Sequence, residues 1–396
     1  MWPMQMHAVP FRSGSALSVR NFSLRSLARP VGRTLTVVIS LLSAGMLGLL
    51  GLLLLWSYPG KPRPFVDEHG EPLPGSISEK IRVTINGVEQ GMIVESKDAT
   101  HPVLLYLHGG MPDYFLSKRY PTGFEDLFTV VWWEQRGAGL SYHPDIPKSS
   151  LTTEQFIADT LAVTDYLRRR FDQEKIYLMG HSGGTFFGIQ AAARAPERYH
   201  AYIGVAQMVD QLESERLAYE YLLRRYREIG NTKLVSKLEA APITPAGGTP
   251  PGYLAVRDEG MHRLGAGTMH EMTDYMRGLF LASFQTREYT LGEKVNLWRG
   301  KFSAGVSTLW DEVLTTDLAK DLPAVDLPVY FLHGRYDYTV SYPVARAYFD
   351  TLKAPVKGFY TFERSAHSPM FEEPEKTLRI LREDVLAGRN CLADRR

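Results

Sequence analysis

The residues of this sequence best suited to covalent chemistry are a serine set among glycines, then an aspartate, then a histidine. The serine is Ser182, in Gly180-His181-Ser182-Gly183-Gly184. The run fits G-x-S-x-G, which puts a serine on a sharp strand-to-helix turn. Small flanking residues suit that turn because its backbone is strained and neighbouring backbone comes close. Alone the pattern is weak, since an ordinary Gly-rich βα turn reads the same. Its setting strengthens it: an apolar run at 176–179 precedes it and a small, Ala-rich helical stretch at 183–194 follows. The start of that helix adds partial positive charge where an oxyanion would form. A serine also needs a base. His367, in Arg364-Ser365-Ala366-His367-Ser368-Pro369, follows the strand-like run 358–362. Imidazole titrates near neutrality, so it can take the serine proton and return it. Asp337, in Leu332-His333-Gly334-Arg335-Tyr336-Asp337, follows the apolar run 329–332. An aspartate there fixes the imidazole tautomer and stabilises the imidazolium. Asp210, just past the run 202–205, is its rival as the acid.

These residues need elements to position them, and the chain supplies strands and helices in alternation. Residues 80–95 read as a hairpin, IRVTI-NG-VEQGMIV, with Asn86-Gly87 suited to a tight turn. Short apolar runs at 103–107 and 129–133 join those already named as buried strands. Between them, 152–170 opens on a capping-box pattern, Thr152-x-x-Gln155, and repeats apolar residues at helical spacing. Such alternation predicts an α/β fold, a mostly parallel sheet covered on both faces. Residues 208–323 break the rhythm and read as an inserted helical cap, interrupted by a Pro/Gly-rich stretch at 242–252.

Taken together, HGGMP (108–112), WWEQRGAGLS (132–141), GHSGG (180–184), LHGRYD (332–337) and AHSP (366–369) resemble the α/β-hydrolase superfamily, and most of all its prolyl iminopeptidase branch. The resemblance covers roughly 80–390. It implies an α/β-hydrolase fold, a Ser–His–Asp hydrolase with a helical cap, and no cofactor. In that fold the loop at His108-Gly109-Gly110 supplies one oxyanion N–H and the residue after the nucleophile supplies another, which assigns Gly110 and Gly183. His108 then reads as structural. Two features depart from the branch. Met111-Pro112-Asp113 stands where Pro-Gly-Gly usually follows HGG, and the elbow GHSGG lacks a Trp after the serine, as in many esterases. The branch reads a substrate's free amine with cap carboxylates; Glu213 and Glu215 are the candidates here, against the plainer reading of solvated helix acids.

The N-terminal part is of another kind. Residues 34–60 contain no Asp, Glu, Lys or Arg, and VVISLLSAGMLGLLGLLLLW at 37–56 is long enough to cross a bilayer. Arg12, Arg20, Arg25, Arg29 and Arg33 precede it with no acid among them, which the positive-inside rule keeps cytoplasmic. The expected organisation is a cytoplasmic basic segment at 1–33, a transmembrane anchor at 34–58, a linker at 59–78, a core at 79–207 and 324–396, and a cap at 208–323. The catalytic domain is expected outside the cytoplasm. A cleaved signal peptide is the alternative, but its apolar region is usually shorter and Trp56-Ser57-Tyr58-Pro59 offers no small-residue cleavage site. Charge is balanced, 45 basic against 44 acidic residues, which argues against a nucleic-acid partner. The single cysteine, Cys391, excludes an internal disulfide and a cysteine-based metal site.

The expected activity is prolyl-iminopeptidase-like cleavage of short peptides or amides. A carboxylesterase or lipase acting on acyl esters is the second expectation, and a non-catalytic binding protein on the same fold the third. Ser182 in the nucleophile position argues against the epoxide hydrolases and haloalkane dehalogenases of this fold, which use Asp there.

Overall fold

The computed structural model describes residues 24–244, 248–305 and 308–395, with side-chain surroundings from residue 35 onward. Most of the expected cytoplasmic segment lies outside the described residues, as does part of the Pro/Gly-rich break. The chain divides into two compact units, Met1–Leu52 and Leu53–Arg396. Helix α1, Leu24–Trp56, starts ten residues before the apolar stretch read from the sequence. Its part Leu35–Trp56 has mean hydropathy 2.5, and none of it is buried. At a rise of about 1.5 Å per residue it is long and apolar enough to span a membrane.

The second unit is built on an eight-stranded sheet in the order β1-β2-β4-β3-β5-β6-β7-β8. Strands β1 (Ile77–Ile85) and β2 (Val88–Ser96) form the hairpin, turning at Asn86-Gly87, with both residues at positive φ. β2 joins β4 (Thr129–Trp133) antiparallel. From there β3 (Val103–Leu107), β5 (Ile176–His181), β6 (Tyr199–Val205), β7 (Val329–Gly334) and β8 (Lys357–Phe362) run parallel. The parallel strands are mostly apolar because both faces are covered. Alternate residues sort to opposite sides: Val103, Leu105 and Leu107 enter one core cluster, Leu104 and Tyr106 the other. Helix α2 (Thr153–Arg170) opens on Thr152, whose hydroxyl accepts from the Gln155 N–H, and buries Phe156, Val163 and Leu167 against the first cluster. Helix α3 (Gly183–Arg194) packs there too, through Phe186, Phe187 and Ile189.

Between β6 and β7 the chain is helical: α4 (Gln211–Ile229), α5 (Thr232–Glu239), α6 (Pro251–Arg263), α7 (Leu291–Ser303) and shorter turns. Residues of α4, α5 and α6 make a third core of their own around Leu222, Leu238 and Tyr253. The register aligns Leu107 with Gly180, His181 with Val205, and Gly334 with Phe362. The carboxyl ends of β3, β5, β7 and β8 therefore gather at one edge of the sheet. Order reverses there, with β4 on one side of β3 and β5 on the other, which is where open α/β sheets form their crevice.

Candidate active site

Ser182 leaves β5 on that edge with φ 53° and ψ −124° and begins α3. A non-glycine residue at positive φ is strained, and such strain persists only where the surroundings enforce it. The surroundings are tight. A Cβ on Gly184 would lie 2.2 Å from the Leu107 carbonyl oxygen, and one on Gly180 would lie 2.7 Å from the Gly184 oxygen. Both glycines of the motif are thus required by close backbone approach. The Ser182 N–H donates to the Val205 carbonyl at 3.0 Å, which holds the elbow to β6.

His367 and Asp337 come together from the loops after β8 and β7. His367 Nδ1 donates to Asp337 Oδ2 at 2.9 Å. Asp337 Oδ1 accepts from the N–H groups of Thr339 at 2.9 Å and Val340 at 3.0 Å. His333 Nε2 lies 3.3 Å from Asp337 Oδ2 and 2.9 Å from the Val340 carbonyl. Burial alone would raise the Asp337 carboxyl; the His367 ring and hydrogen bonds from His333 and His367 reverse that and hold it well below the usual carboxylate range. For His367 burial wins over the Asp337 charge, so its pKa lies below that of an ordinary imidazole. The Nδ1 proton is committed to Asp337, which leaves Nε2 as the lone-pair nitrogen. Among the described residues neither Ser182 Oγ nor His367 Nε2 has a hydrogen-bond partner, so the two are not bonded to each other.

Gly109 rather than Gly110 faces the serine: a Cβ on Gly109 would sit 2.7 Å from Ser182 Cβ. Gly110 is exposed with open space about it, and Gly183 is buried at the first turn of α3. Neither N–H has a backbone acceptor among the described residues. His108 is structural. Its Nδ1 donates to the Gly109 carbonyl at 2.9 Å, its Nε2 accepts from the Gln135 N–H at 3.1 Å, and burial pushes its pKa down to about 4.

Sequence reasoning missed a second carboxylate–imidazole pair beside the serine. His181 Nδ1 lies 2.9 Å from Asp113 Oδ2, and its Nε2 lies 3.1 Å from the His367 carbonyl. Tyr106 donates to the same Asp113 oxygen at 2.7 Å. Ser368 Oγ lies 3.4 Å from the same His181 Nε2. The His181 ring centre is 5.0 Å from that of His367. Asp113, the departure after HGG, therefore has a partner 68 residues on, and no spacing rule could have found it.

The remaining candidates lie elsewhere. Asp210 caps α4, accepting from the Glu213 N–H at 2.9 Å. Glu213 is held bidentately by Arg216 at 2.6 and 2.7 Å. Glu215 is fully buried and meets Arg257 through both of its oxygens, Tyr253 Oη at 2.8 Å and Gln211 Nε2 at 2.8 Å. Gln211 in turn donates to the Thr339 carbonyl at 2.9 Å, so this group braces the loop that carries Asp337. The EQRGAGLS stretch is likewise structural. Arg136 forms a buried pair with Asp159 at 2.7 Å, to which Gln90 and Asn86 also donate. Buried Glu134 accepts from Tyr289 and the Leu140 N–H, and burial raises its pKa to about 8.

The family model described as alpha/beta hydrolase fold matches residues 102–374. The chain belongs to that family, on its prolyl iminopeptidase-like side, and is a hydrolase. It is 32% identical over 305 residues to the Probable aminopeptidase YbaC of Bacillus subtilis, covering 76% of this chain and 93% of that protein. It is 24% identical to the Proline iminopeptidase of Saccharolobus solfataricus, covering 71% and 84%. The crystal structure of proline iminopeptidase from Mycobacterium smegmatis superposes with a TM-score of 0.54 at 17% identity, covering 78% of this chain and 99% of that one, which speaks for the fold.

Proposed function

We propose that this protein is a serine hydrolase working through an acyl-enzyme, with Ser182 as nucleophile, His367 as general base and Asp337 as the acid that orients it. The observation that carries the reading is the 2.9 Å Asp337–His367 bond presented at the same sheet edge as the strained Ser182 elbow. His367 Nε2 takes the serine proton as Oγ attacks a carbonyl, and Asp337 stabilises the imidazolium. The N–H groups of Gly110 and Gly183 hold the oxyanion; losing one such donor costs roughly 3–4 kcal/mol in the transition state. His367 then passes its proton to the leaving group, and water, deprotonated by the same nitrogen, releases the acyl group.

The relatives named aminopeptidase and proline iminopeptidase support short peptides or amides as substrates. One observation favours acyl esters instead: Glu213 and Glu215 are both engaged by arginines, so neither offers a free carboxylate to a substrate amine. Rates on proline-type aminoacyl amides against p-nitrophenyl esters of varied chain length decide between them. Faster turnover of the amides supports the peptidase reading. Turnover of esters alone overturns it.

The apolar helix Leu35–Trp56, preceded by five arginines and no acid, supports a single-pass anchor with its N-terminus cytoplasmic and the hydrolase outside. The substrate reached there is a small molecule or short peptide. Carbonate extraction tests this: release of soluble protein with a new N-terminus would refute the anchor.

A further inference from the structure

The end of the apolar helix does not hang from the hydrolase on a loose linker. Lys294, on α7, donates to the Trp56 carbonyl at 2.9 Å, to Ser57 Oγ at 3.0 Å and to the Phe284 carbonyl at 2.7 Å. The Gly60 N–H donates to the Arg287 carbonyl at 3.0 Å, and Lys80 reaches Gly60 and, at 3.2 Å, the Glu288 carbonyl. Trp56 is thus clamped to the stretch 284–294. Lys294 is fully buried, and desolvation lowers its pKa to about 8.

That same stretch carries an apolar surface. On α7, Val295, Trp298 and Phe302 recur at spacings of three and four, the period of one helix face. Val295 is exposed, Phe302 is 75% exposed, and Trp298 is half-buried. The preceding turns, Met276–Leu281 and Ala282–Gln285, add Met276 at 58% exposure, Phe280 and Leu281. The two rows are joined, since the Phe280 and Trp298 rings lie 5.1 Å apart. Arg277, Arg287 and Arg299 are exposed on the same segments. Exposed aromatics beside cations form the pattern of a surface that lies on lipid.

We infer that this face of the segment 276–302 docks on the bilayer surface, its aromatic side chains entering the headgroup region. The inference rests on the reading of Leu35–Trp56 as a membrane span. Continuity with that span selects lipid as the occupant. Phe302 is eight residues along α7 from Lys294, about 12 Å, and the headgroup layer extends roughly 5–7 Å beyond the hydrocarbon on each side. The Lys294 contacts keep the patch near Trp56, the residue at which the apolar helix ends. The opposite side of the same turns is buried: Leu279 and Ala282 join the core cluster of Tyr114 and Tyr289, against which Met111 packs.

The test uses the full chain in nanodiscs of phosphatidylcholine and phosphatidylglycerol, with Cys391→Ser removing the native thiol. Single cysteines introduced as Phe302→Cys, Phe280→Cys, Leu49→Cys and Ile229→Cys carry a fluorophore, and quenching by doxyl-labelled lipid is read. Ile229 is an equally apolar, 58% exposed residue outside the patch. The inference expects quenching at 302 and 280 at least threefold that at 229, together with strong quenching at 49. Quenching at 49 alone leaves the anchor standing and overturns the docked face. No quenching at 49 removes the anchor and the inference with it. Disulfide-linked dimers of Phe302→Cys in place of lipid quenching make a second copy the occupant and also overturn the inference.

Discussion

Replacing Asp337 with Asn changes one atom, and its consequence follows from the bonds around it. Asp337 Oδ1 accepts from two backbone N–H groups, of Thr339 and Val340, so an asparagine must keep its carbonyl oxygen there. Its amide NH2 then occupies the Oδ2 position, facing His367 Nδ1, where the wild-type contact is 2.9 Å. Two donors cannot share that contact. The imidazole answers by moving its proton to Nε2, and in that tautomer it cannot take the proton of Ser182. Serine hydrolases with the wrong tautomer lose about 10^4 in kcat, or roughly 5 kcal/mol of transition-state stabilisation. The backbone bonds survive, so the fold remains. The assay is kcat on a p-nitrophenyl ester beside a melting curve, with Asp210→Asn as control. Asp210 only caps a helix, a task asparagine performs equally well, so that variant keeps wild-type turnover. An Asp337→Asn enzyme retaining more than a tenth of wild-type kcat refutes the reasoning. Loss at Asp210 instead would move the acid there.

Other consequences are as direct. Burial lowers the His367 pKa, so the base stays neutral below the ordinary imidazole range; kcat/KM holds at pH 6.5 and is lost only as pH falls through the lowered value, which a pH–rate profile reads. Asp113→Asn removes the charged acceptor of His181, whose other nitrogen lies 3.1 Å from the His367 carbonyl; a hydrogen bond to a charged group contributes about 1.5–3 kcal/mol, so kcat falls at least tenfold with KM little changed. Arg257→Met strands the buried Glu215 carboxylate and costs about 3–5 kcal/mol in urea unfolding, whereas adding Glu215→Gln recovers part of the loss. Were Glu215 an amine reader instead, Glu215→Gln would raise KM for aminoacyl amides alone. Glu134 has its folded pKa raised to about 8, so its ionisation weakens the folded state as pH rises from the ordinary carboxylate range through that value. Glu134→Gln removes the effect, and its melting temperature gains on wild type between pH 5 and pH 9.

What the sequence reveals here is what is local. The strands stand out because a sheet covered on both faces demands unbroken apolar runs, and Ser182, Asp337 and His367 stand out because each directly follows such a run. Boundaries are less visible. β5 continues to His181 and β7 to Gly334, since the backbone keeps pairing, His181 with Val205 and Gly334 with Phe362, after the apolar residues end. Contacts between distant positions leave no mark at all. Asp113 meets His181 and Glu215 meets Arg257 only because the topology joins loops and helices far apart in the chain. The same holds for Lys294, which looks like one more charge on an amphipathic helix until Trp56 is placed beside it. Glu213 and Glu215 show the converse. Their type and position suggested a substrate amine, yet each already faces an arginine supplied by its own helix or a neighbouring one.

The central claim is that Ser182 carries the acyl group. Incubating the protein with a fluorophosphonate and mapping the adduct by peptide mass spectrometry tests it directly. The account predicts a single adduct on Ser182, absent from Ser182→Ala and slowed by orders of magnitude in Asp337→Asn. Undiminished labelling of Ser182→Ala, or an adduct on any other residue, would contradict it.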